Sequence, residues 1–88
     1  MRQTTVMKIN YSKQFKKLKP KDQNEFWARL EWFKADVYDE RLRNHALSGQ
    51  LAGLRSIDIR GDLRAIYEVL DDEVYLYQMI GSHSQLYK

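Results

Sequence analysis

The 88-residue sequence has no cysteine, and it contains one proline and four glycines. Without cysteine, neither disulfide bonds nor a thiolate metal site can support the fold. The absence also fits a reducing compartment, so we expect a cytoplasmic protein. No run of about 18 apolar residues is present, and no signal-peptide pattern precedes a cleavage site. The sequence therefore predicts a soluble protein without a membrane partner.

Histidine is also scarce, with His45 and His83 the two in the chain. A chain of this length suits one compact domain, here residues 1–88, which buries about 60–65% of its unfolded surface. Its aliphatic and aromatic content is ordinary for a globular protein, which argues against disorder throughout. We therefore expect one small core, with each histidine at its surface or in a functional site.

Basic residues are distributed unevenly along the chain. The net charge is only +3, but the segment from Lys8 to Lys21 contains six lysines and no acid. A second basic set consists of arginines, at positions 41, 43, 55, 60 and 64. Both sets suggest a polyanion or an acidic protein as partner. The alternative is an ordinary solvated surface, and charge alone does not separate the two interpretations.

Hydrophobic periodicity predicts one strand, two helices and then three more strands. The first helix would be capped by Ser12 and followed by Pro20. Phe26, Leu30 and Phe33 form the apolar stripe of the second helix. The predicted ranges are a strand at 6–11, helices at 12–19 and 22–35, a connector at 36–53, strands at 54–60, 63–70 and 74–80, and a short turn or helix at 82–88. This order predicts an α+β fold: an N-terminal strand, a two-helix hairpin that packs on one sheet face, a three-stranded antiparallel meander, and a short C-terminal turn or helix.

Strand alternation sorts the polar residues of the meander onto one sheet face. If Ile57, Ile59 and the alternate residues from Leu63 to Val69 face the helices, the opposite face carries a charged set. That set is Ser56, Asp58, Arg60 and Arg64, with Asp62 in the adjacent turn. His83 and Tyr87 follow the third meander strand, and His45 approaches the meander from the connector. A solvated cross-strand salt-bridge set explains the charges equally well, but not the nearby histidines and tyrosine.

Two histidines with an aspartate and an arginine can cleave RNA without a metal ion. A general base activates the 2′-hydroxyl, a general acid protonates the leaving 5′-oxygen, and a cation stabilises the phosphorane. His83 suits either proton-transfer role, and the complementary role falls to Asp58, Asp62 or His45. Arg64 suits the phosphate, and Tyr87 suits stacking on a base. No HxH or HExxH spacing appears, so we expect neither a metal nor another cofactor.

Three motifs in the second half of the chain resemble a known family. They are H-x-L-x-G from His45, G-D-L-R-x-I-Y from Gly61, and the closing G-S-H-S-x-L-Y from Gly81. In this order the sequence is similar to the RelE/YafQ superfamily of bacterial type II toxins, which are ribosome-dependent mRNA interferases. The resemblance covers residues 45–87 in sequence and is only topological for residues 6–40.

The resemblance implies a protein that enters the ribosomal A site and cuts mRNA there until a cognate antitoxin blocks it. His45, Asp62 and His83 then match family active-site residues, Tyr87 matches the closing aromatic, and Arg64 matches a phosphate-binding arginine. Asp58 departs from the family, since YafQ-like members have a histidine there and an acidic residue in place of Ser56. Arg60, Lys16 and Lys17 complete the expected RNA-binding set.

Two other functions remain open from the sequence. ParE-like proteins share the fold and poison DNA gyrase, although they generally lack the closing histidine–aromatic pair. Alternatively, the charged face belongs to a non-catalytic basic module that only binds RNA or an acidic protein. A short acidic antitoxin gene next to this one would favour either toxin class over the binding module.

Overall fold

The computed structural model describes residues 3–71 and 73–87. Its helices and strands are, in chain order, β1 (Thr4–Met7), α1 (Ile9–Lys16), α2 (Pro20–Ala35), β2 (His45–Ala46), β3 (Arg55–Arg60), β4 (Leu63–Asp71), β5 (Val74–Ser82) and α3 (His83–Leu86). Two short 3-10 helices, at Glu40–Leu42 and Gly49–Leu51, interrupt the connector that precedes β3. None of the helices in the described part of the chain is long and apolar enough to span a membrane.

The described strands form one five-stranded sheet in the order β1-β5-β4-β3-β2. The meander β3-β4-β5 is antiparallel, as the sequence predicts. β1 adds to the outer side of β5 in parallel, and the two-residue β2 pairs with β3 through His45 and Ala46. The predicted α+β fold is thus confirmed, and the pairing of β2 brings the connector histidine to the edge of the sheet.

The core lies between α2 and one face of the sheet. The predicted stripe of Phe26, Leu30 and Phe33 is buried there against Ile57 and Ile59 of β3. Leu63 and the buried Ala65, Tyr67, Tyr75 and Tyr77 extend the same core along β4 and β5. The residues predicted to face the helices do so except Val69, which lies near the end of β4 and is 47% exposed. On the opposite face the prediction is wrong for Arg60, which a bulge turns toward α2, and Ser56 is fully buried rather than uncovered.

Both boundaries of the first helix differ from the prediction. The strand expected over 6–11 ends at Met7, and α1 begins at Ile9. The N-cap is Lys8 rather than Ser12, because Tyr11 is buried on the helix and stacks on Phe15 one turn later. A spacing of four residues suits a helix face, and it overrides the short alternating pattern that suggested a strand. α2 begins two residues earlier than predicted, with Pro20 in its first turn, where a missing N–H costs nothing.

A β-bulge in β3 determines which polar residues share a face. The pairing runs from Asp58 opposite Arg64 to Arg60 opposite Leu63, so the bulge adds a residue to β3 between these pairs. The resulting change in strand direction is typical of a bulge. Arg60 then reaches α2, where its Nη1 lies 2.9 Å from an Asp22 carboxylate oxygen. Asp58 and Arg64 stay on the face opposite the core.

Candidate active site

Asn44 anchors the segment that carries His45 to the core. Its side-chain amide donates to the Val37 carbonyl at 2.9 Å and to the Tyr67 hydroxyl at 2.7 Å. Its carbonyl oxygen accepts from Nε of Arg55 at 2.9 Å. With both ends of the amide occupied, the neighbouring backbone has little freedom, so His45 projects from a fixed position.

The backbone around Arg43 also orients the His45 ring. Arg43 has a φ of 49°, in the left-handed region that only a few per cent of non-glycine residues adopt. Its carbonyl oxygen lies 2.8 Å from Nδ1 of His45. Because a carbonyl can only accept, this ring nitrogen carries the proton. The other nitrogen, Nε2, makes no hydrogen bond to a described residue, so in the neutral ring its lone pair is available to a substrate proton.

Asp58 and Arg64 form an ion pair across β3 and β4. Nε of Arg64 lies 3.0 Å from one carboxylate oxygen of Asp58, and each side chain is 21% exposed. Nη1 of Arg64 donates to the Gly61 carbonyl at 2.8 Å. On its other side, Asp58 faces Nε of Arg43 at 3.9 Å. Two of the three guanidinium nitrogens of Arg64 are thereby held by the protein, and Nη2 has no partner among the described residues.

The short helix α3 places His83 and Tyr87 side by side. The His83 N–H donates to the Asp62 carbonyl at 3.2 Å, which ties the start of the helix to the β3–β4 turn. The Tyr87 N–H donates to the His83 carbonyl at 3.0 Å, and the centroids of the two rings lie 4.5 Å apart. His83 is exposed and Tyr87 is partly buried, so the tyrosine supports one side of the imidazole.

These segments surround a cleft of about 490 Å³. Its polar and aromatic lining consists of Arg43, His45, Asp58, Arg64, His83 and Tyr87, and residues 46–48 complete the wall. Four separate parts of the chain contribute to it: the connector, β3, β4 and the C-terminal helix. The predicted grouping of both histidines with Asp58, Arg64 and Tyr87 is therefore what the structure shows.

The other predicted site residues lie outside this cleft. Asp62 and Arg60 line a neighbouring depression with Ser82 and Gln85, and the contact of Asp62 with His83 is made by its backbone carbonyl. Lys16 ends α1 and Lys17 follows it, both exposed and neither among the cleft residues. Their part in binding a polyanion stays a prediction.

Sequence reasoning assigns no site role to Arg43 and Asn44, which shape the cleft. In the sequence, Arg43 is one of several basic residues. Nothing in the sequence distinguishes it, because a left-handed backbone conformation at an arginine has no sequence signature. Asn44 belongs to the predicted connector. Its position directly before a candidate site histidine is a sequence signal that could have indicated its supporting role. Ser56 lies beneath this region opposite His45, fully buried, and its hydroxyl has no partner among the described residues.

The protein environment shifts the ionisation of residues that support the site. Burial raises the pKa of Tyr67, while the hydrogen bond from Asn44 opposes the shift. Hydrogen bonds from Arg41 lower the pKa of Asp39 to about 2, so that carboxylate stays ionised and paired with the arginine in moderately acidic solution as well as at neutral pH. Within residues 3–71 and 73–87, no group of three His, Asp or Glu residues is arranged to hold a metal ion.

The fold agrees with comparisons to known proteins. No curated protein matches the chain. A mutant of YafQ from E. coli superposes with a TM-score of 0.82 at 19% identity, covering 99% of this chain and 100% of that chain. The E. coli DinJ–YafQ toxin–antitoxin complex gives 0.80 at 20% identity, with 100% of both chains covered. A conserved hypothetical protein from Helicobacter pylori gives 0.75 at 25% identity, covering 98% of this chain and 100% of that chain.

A family profile matches the sequence itself over residues 3–88, so it extends well beyond the motifs of the second half. The family is described as the bacterial toxin of type II toxin–antitoxin system, YafQ. Together with the fold, this match shows that the chain belongs to the YafQ family of bacterial type II toxins.

Proposed function

We propose that this toxin cleaves RNA in the cleft between His45 and His83. The observation that carries the proposal is the convergence of two imidazoles, a guanidinium and an aromatic ring from three parts of the chain, namely the connector, β4 and the C-terminal helix. Together they supply the components of metal-independent RNA cleavage: the imidazoles transfer protons, the guanidinium stabilises charge, and the aromatic ring stacks on a base. A binding module does not need two histidines at the same cleft.

His45 is the general base in this proposal. The Arg43 carbonyl fixes the proton on Nδ1, so Nε2 is the nitrogen that accepts the proton of the RNA 2′-hydroxyl. The 2′-oxygen then attacks the adjacent phosphorus. A histidine whose tautomer is fixed by a backbone carbonyl needs no reorientation before it accepts the proton.

His83 is the general acid on the opposite side of the phosphate. It gives a proton to the 5′-oxygen as the phosphorus–oxygen bond breaks, which leaves a 2′,3′-cyclic phosphate and a 5′-hydroxyl. Nη2 of Arg64 faces the negative charge that develops on the phosphorane. Asp58 holds Arg64 in place rather than accepting a proton, and Tyr87 supports the His83 ring and offers a surface for a base.

The proposed substrate is mRNA on the ribosome, and the proposed regulator is a cognate antitoxin. The family resemblance supports the ribosomal step, and a ribosomal substrate would require the toxin to act in the cytoplasm. YafQ from E. coli is found in a complex with DinJ that is described as toxin–antitoxin. We extend that relationship to this chain, whose gene we expect to lie beside that of a short acidic partner.

Induced expression in bacteria with primer extension on a reporter mRNA tests the proposal. The unmutated chain should arrest growth and cut within translated codons. His83→Ala and His45→Ala should each lower single-turnover cleavage on purified ribosomes by about 10²-fold or more, since general acid–base catalysis contributes that much. The cut ends should carry a 5′-hydroxyl, which polynucleotide kinase labels directly.

Ser84→Ala is the matched control, because Ser84 is exposed on the same helix and does not line the cleft. Its one side-chain contact among the described residues is with the Ser82 hydroxyl at 3.3 Å, and its loss leaves both hydrogen bonds between Ser82 and Gln85 in place. It should cleave at the unmutated rate. Growth arrest that persists in His83→Ala with intact mRNA and damaged DNA would support a gyrase poison instead. An unmutated chain without toxicity would reject both toxin mechanisms and leave the basic binding module.

A further inference from the structure

A second depression, which we call the arginine groove, continues from the cleft along α2. It has a volume of about 400 Å³ and is lined chiefly by Arg29, Trp32, Arg41, Arg43, Arg60 and Arg64. Arg43, Arg64 and Asp58 line both the groove and the cleft, so the two form one continuous surface. Asp58 is the one acid among the described residues that line the groove.

Trp32 holds two of these arginines at the wall of the groove. The guanidinium carbon of Arg41 lies 3.7 Å from the centroid of the indole ring, and that of Arg29 lies 4.0 Å from it. Both distances are well within the range of cation–π attraction. Trp32 is itself partly buried and packed against the core, so both cations are fixed on a rigid support.

Carboxylates fix the arginines further without occupying all their donors. Asp39 accepts from Nε and Nη2 of Arg41 at 3.0 and 2.8 Å. Glu25 lies 3.0 Å from Nη2 of Arg29, and Asp22 lies 2.9 Å from Nη1 of Arg60. A guanidinium has five N–H donors, so each of these arginines keeps some for a ligand. Preorganised side chains of this kind lose little conformational entropy when they bind.

We propose that the arginine groove binds the phosphate backbone of single-stranded RNA that continues beyond the cleaved step. This inference rests on the proposed function, since an RNA strand continues from the cleft into the groove only if the cleft binds the scissile phosphate. Arg43 and Arg64 mark the junction where the strand passes from the cleft into the groove. Trp32 acts as the platform that keeps Arg29 and Arg41 in position to contact successive phosphates.

RNA fits the groove better than an acidic protein segment does. Planar guanidinium groups match phosphate oxygens with paired donors. The groove opens directly into the cleft rather than onto a separate face, as a path for a continuous strand requires. Successive backbone phosphates meet successive arginines without any base contact, so the groove should add affinity and not sequence preference.

Binding of two cleavage-resistant 2′-O-methyl oligonucleotides tests the groove. A trinucleotide reaches only the cleft, whereas a nonanucleotide also reaches the groove. Arg29→Gln and Arg41→Gln should each weaken nonanucleotide binding about tenfold, the usual scale for removing a hydrogen bond to a charged group. Trinucleotide binding should stay unchanged. The slope of log affinity against log salt concentration, measured with the nonanucleotide, should become shallower by about 0.7 for each phosphate that the variant no longer neutralises.

Lys34→Gln is the control, because Lys34 lies on the same helix and also pairs with a glutamate, but outside the groove. It should change neither affinity. In a Trp27→Phe background, Trp32 fluorescence should respond to the nonanucleotide and not to the trinucleotide. Equal losses for both oligonucleotides, or an equal loss in Lys34→Gln, would overturn the inference. Displacement of the nonanucleotide by an oligoglutamate peptide that binds more tightly would overturn it in favour of an acidic protein.

The cleavage assay separates this inference from the proposed function. If the unmutated chain cleaves mRNA and the groove variants still bind the nonanucleotide fully, only the groove inference fails. If the chain does not cleave but the groove variants lose nonanucleotide binding selectively, the groove binds single-stranded RNA, while the proposed nuclease function and the path from a cleaved step into the groove both fail.

Discussion

Tyr67 and Tyr77 are neighbouring residues of the core that differ in one hydrogen bond. Both are fully buried, and their ring centroids lie 5.7 Å apart. The Tyr67 hydroxyl accepts from Asn44 at 2.7 Å, whereas the Tyr77 hydroxyl has no partner among the described residues. A buried polar group without a partner costs about 1–3 kcal/mol. The two side chains should therefore respond differently to the loss of the same atom.

We predict that Tyr77→Phe leaves the free energy of unfolding unchanged or raises it by about 1 kcal/mol, because it removes an unpaired buried oxygen and keeps the ring. Tyr67→Phe should lower it by about 1 kcal/mol or more, because the Asn44 amide loses a partner. Urea unfolding followed by circular dichroism measures both. A loss of stability in Tyr77→Phe as large as in Tyr67→Phe would contradict the prediction.

At the scale of single residues, the sequence predicts the sheet face on which a side chain lies better than it predicts the partner of that side chain. Alternation along β3 and β4 places Asp58 and Arg64 on one face, and the structure pairs them directly. The same alternation also places Arg60 there, but the bulge directs it to Asp22, which is 38 positions away along the chain. A bulge is a local departure from period two, so no pattern that assumes period two can reveal it.

Helix α3 has four residues and owes its position to contacts at its start. A helix this short is not stable by itself in water. The Ser82 hydroxyl accepts from the Gln85 N–H at 3.3 Å, and the Gln85 side chain accepts from the Ser82 N–H at 2.8 Å. This reciprocal capping box fixes the turn that carries His83. Gly81 belongs to the same arrangement, since a Cβ there would lie 2.8 Å from the side-chain oxygen of Gln85.

We predict that Gln85→Ala lowers single-turnover cleavage about tenfold and the free energy of unfolding by only about 1 kcal/mol, the usual value of a cap. The rate falls because His83 loses its fixed position, although Gln85 does not line the cleft. Gln85→Glu should restore the rate, since glutamate accepts the same hydrogen bond. Gly81→Ala should act like Gln85→Ala. A full rate in Gln85→Ala, or no recovery in Gln85→Glu, would show that the capping box does not position His83.

At the scale of elements, local patterns predict α2 and the meander because each has enough residues to show its period. The Phe26–Phe33 stripe spans two helical turns, and β4 and β5 each have nine residues. β2 has only two residues, so it has no period to detect. The parallel pairing of β1 with β5 joins Thr4 to Val74, a contact between distant segments that no local pattern contains.

The fold of the whole molecule brings residues between positions 43 and 87 to one cleft. Buried tyrosines in the core also make the stability of the fold depend on pH in the alkaline range. Burial raises the pKa of both Tyr11 and Tyr77 above the ordinary range of tyrosine, and the proximity of the two side chains raises the pKa of Tyr11 further. Their ring centroids lie 5.6 Å apart in the aromatic part of the core. The folded state therefore keeps both hydroxyls protonated at a pH where the unfolded chain releases them.

The sign of the effect follows from this difference in proton binding. In the unfolded chain these tyrosines ionise near pH 10. Below that pH both states bind the same protons, so the stability is fully present. Above it the unfolded state binds fewer protons than the folded state, so stability falls as pH rises, by about 1.4 kcal/mol per pH unit for each tyrosine that stays protonated.

We predict that the free energy of unfolding is independent of these tyrosines between about pH 6 and 9 and falls above about pH 10. The double variant Tyr11→Phe/Tyr77→Phe should differ from the unmutated chain by a constant amount in the lower range. Above about pH 10 its profile should be flatter, by up to about 2.7 kcal/mol per pH unit, because two ionising groups are removed. Urea unfolding at each pH, with tyrosinate absorbance as a second signal, measures the slope. Parallel profiles of the double variant and the unmutated chain above pH 10 would contradict the prediction. They would mean that the two hydroxyls ionise equally in the folded and unfolded states, and so that solvent reaches them in the folded core.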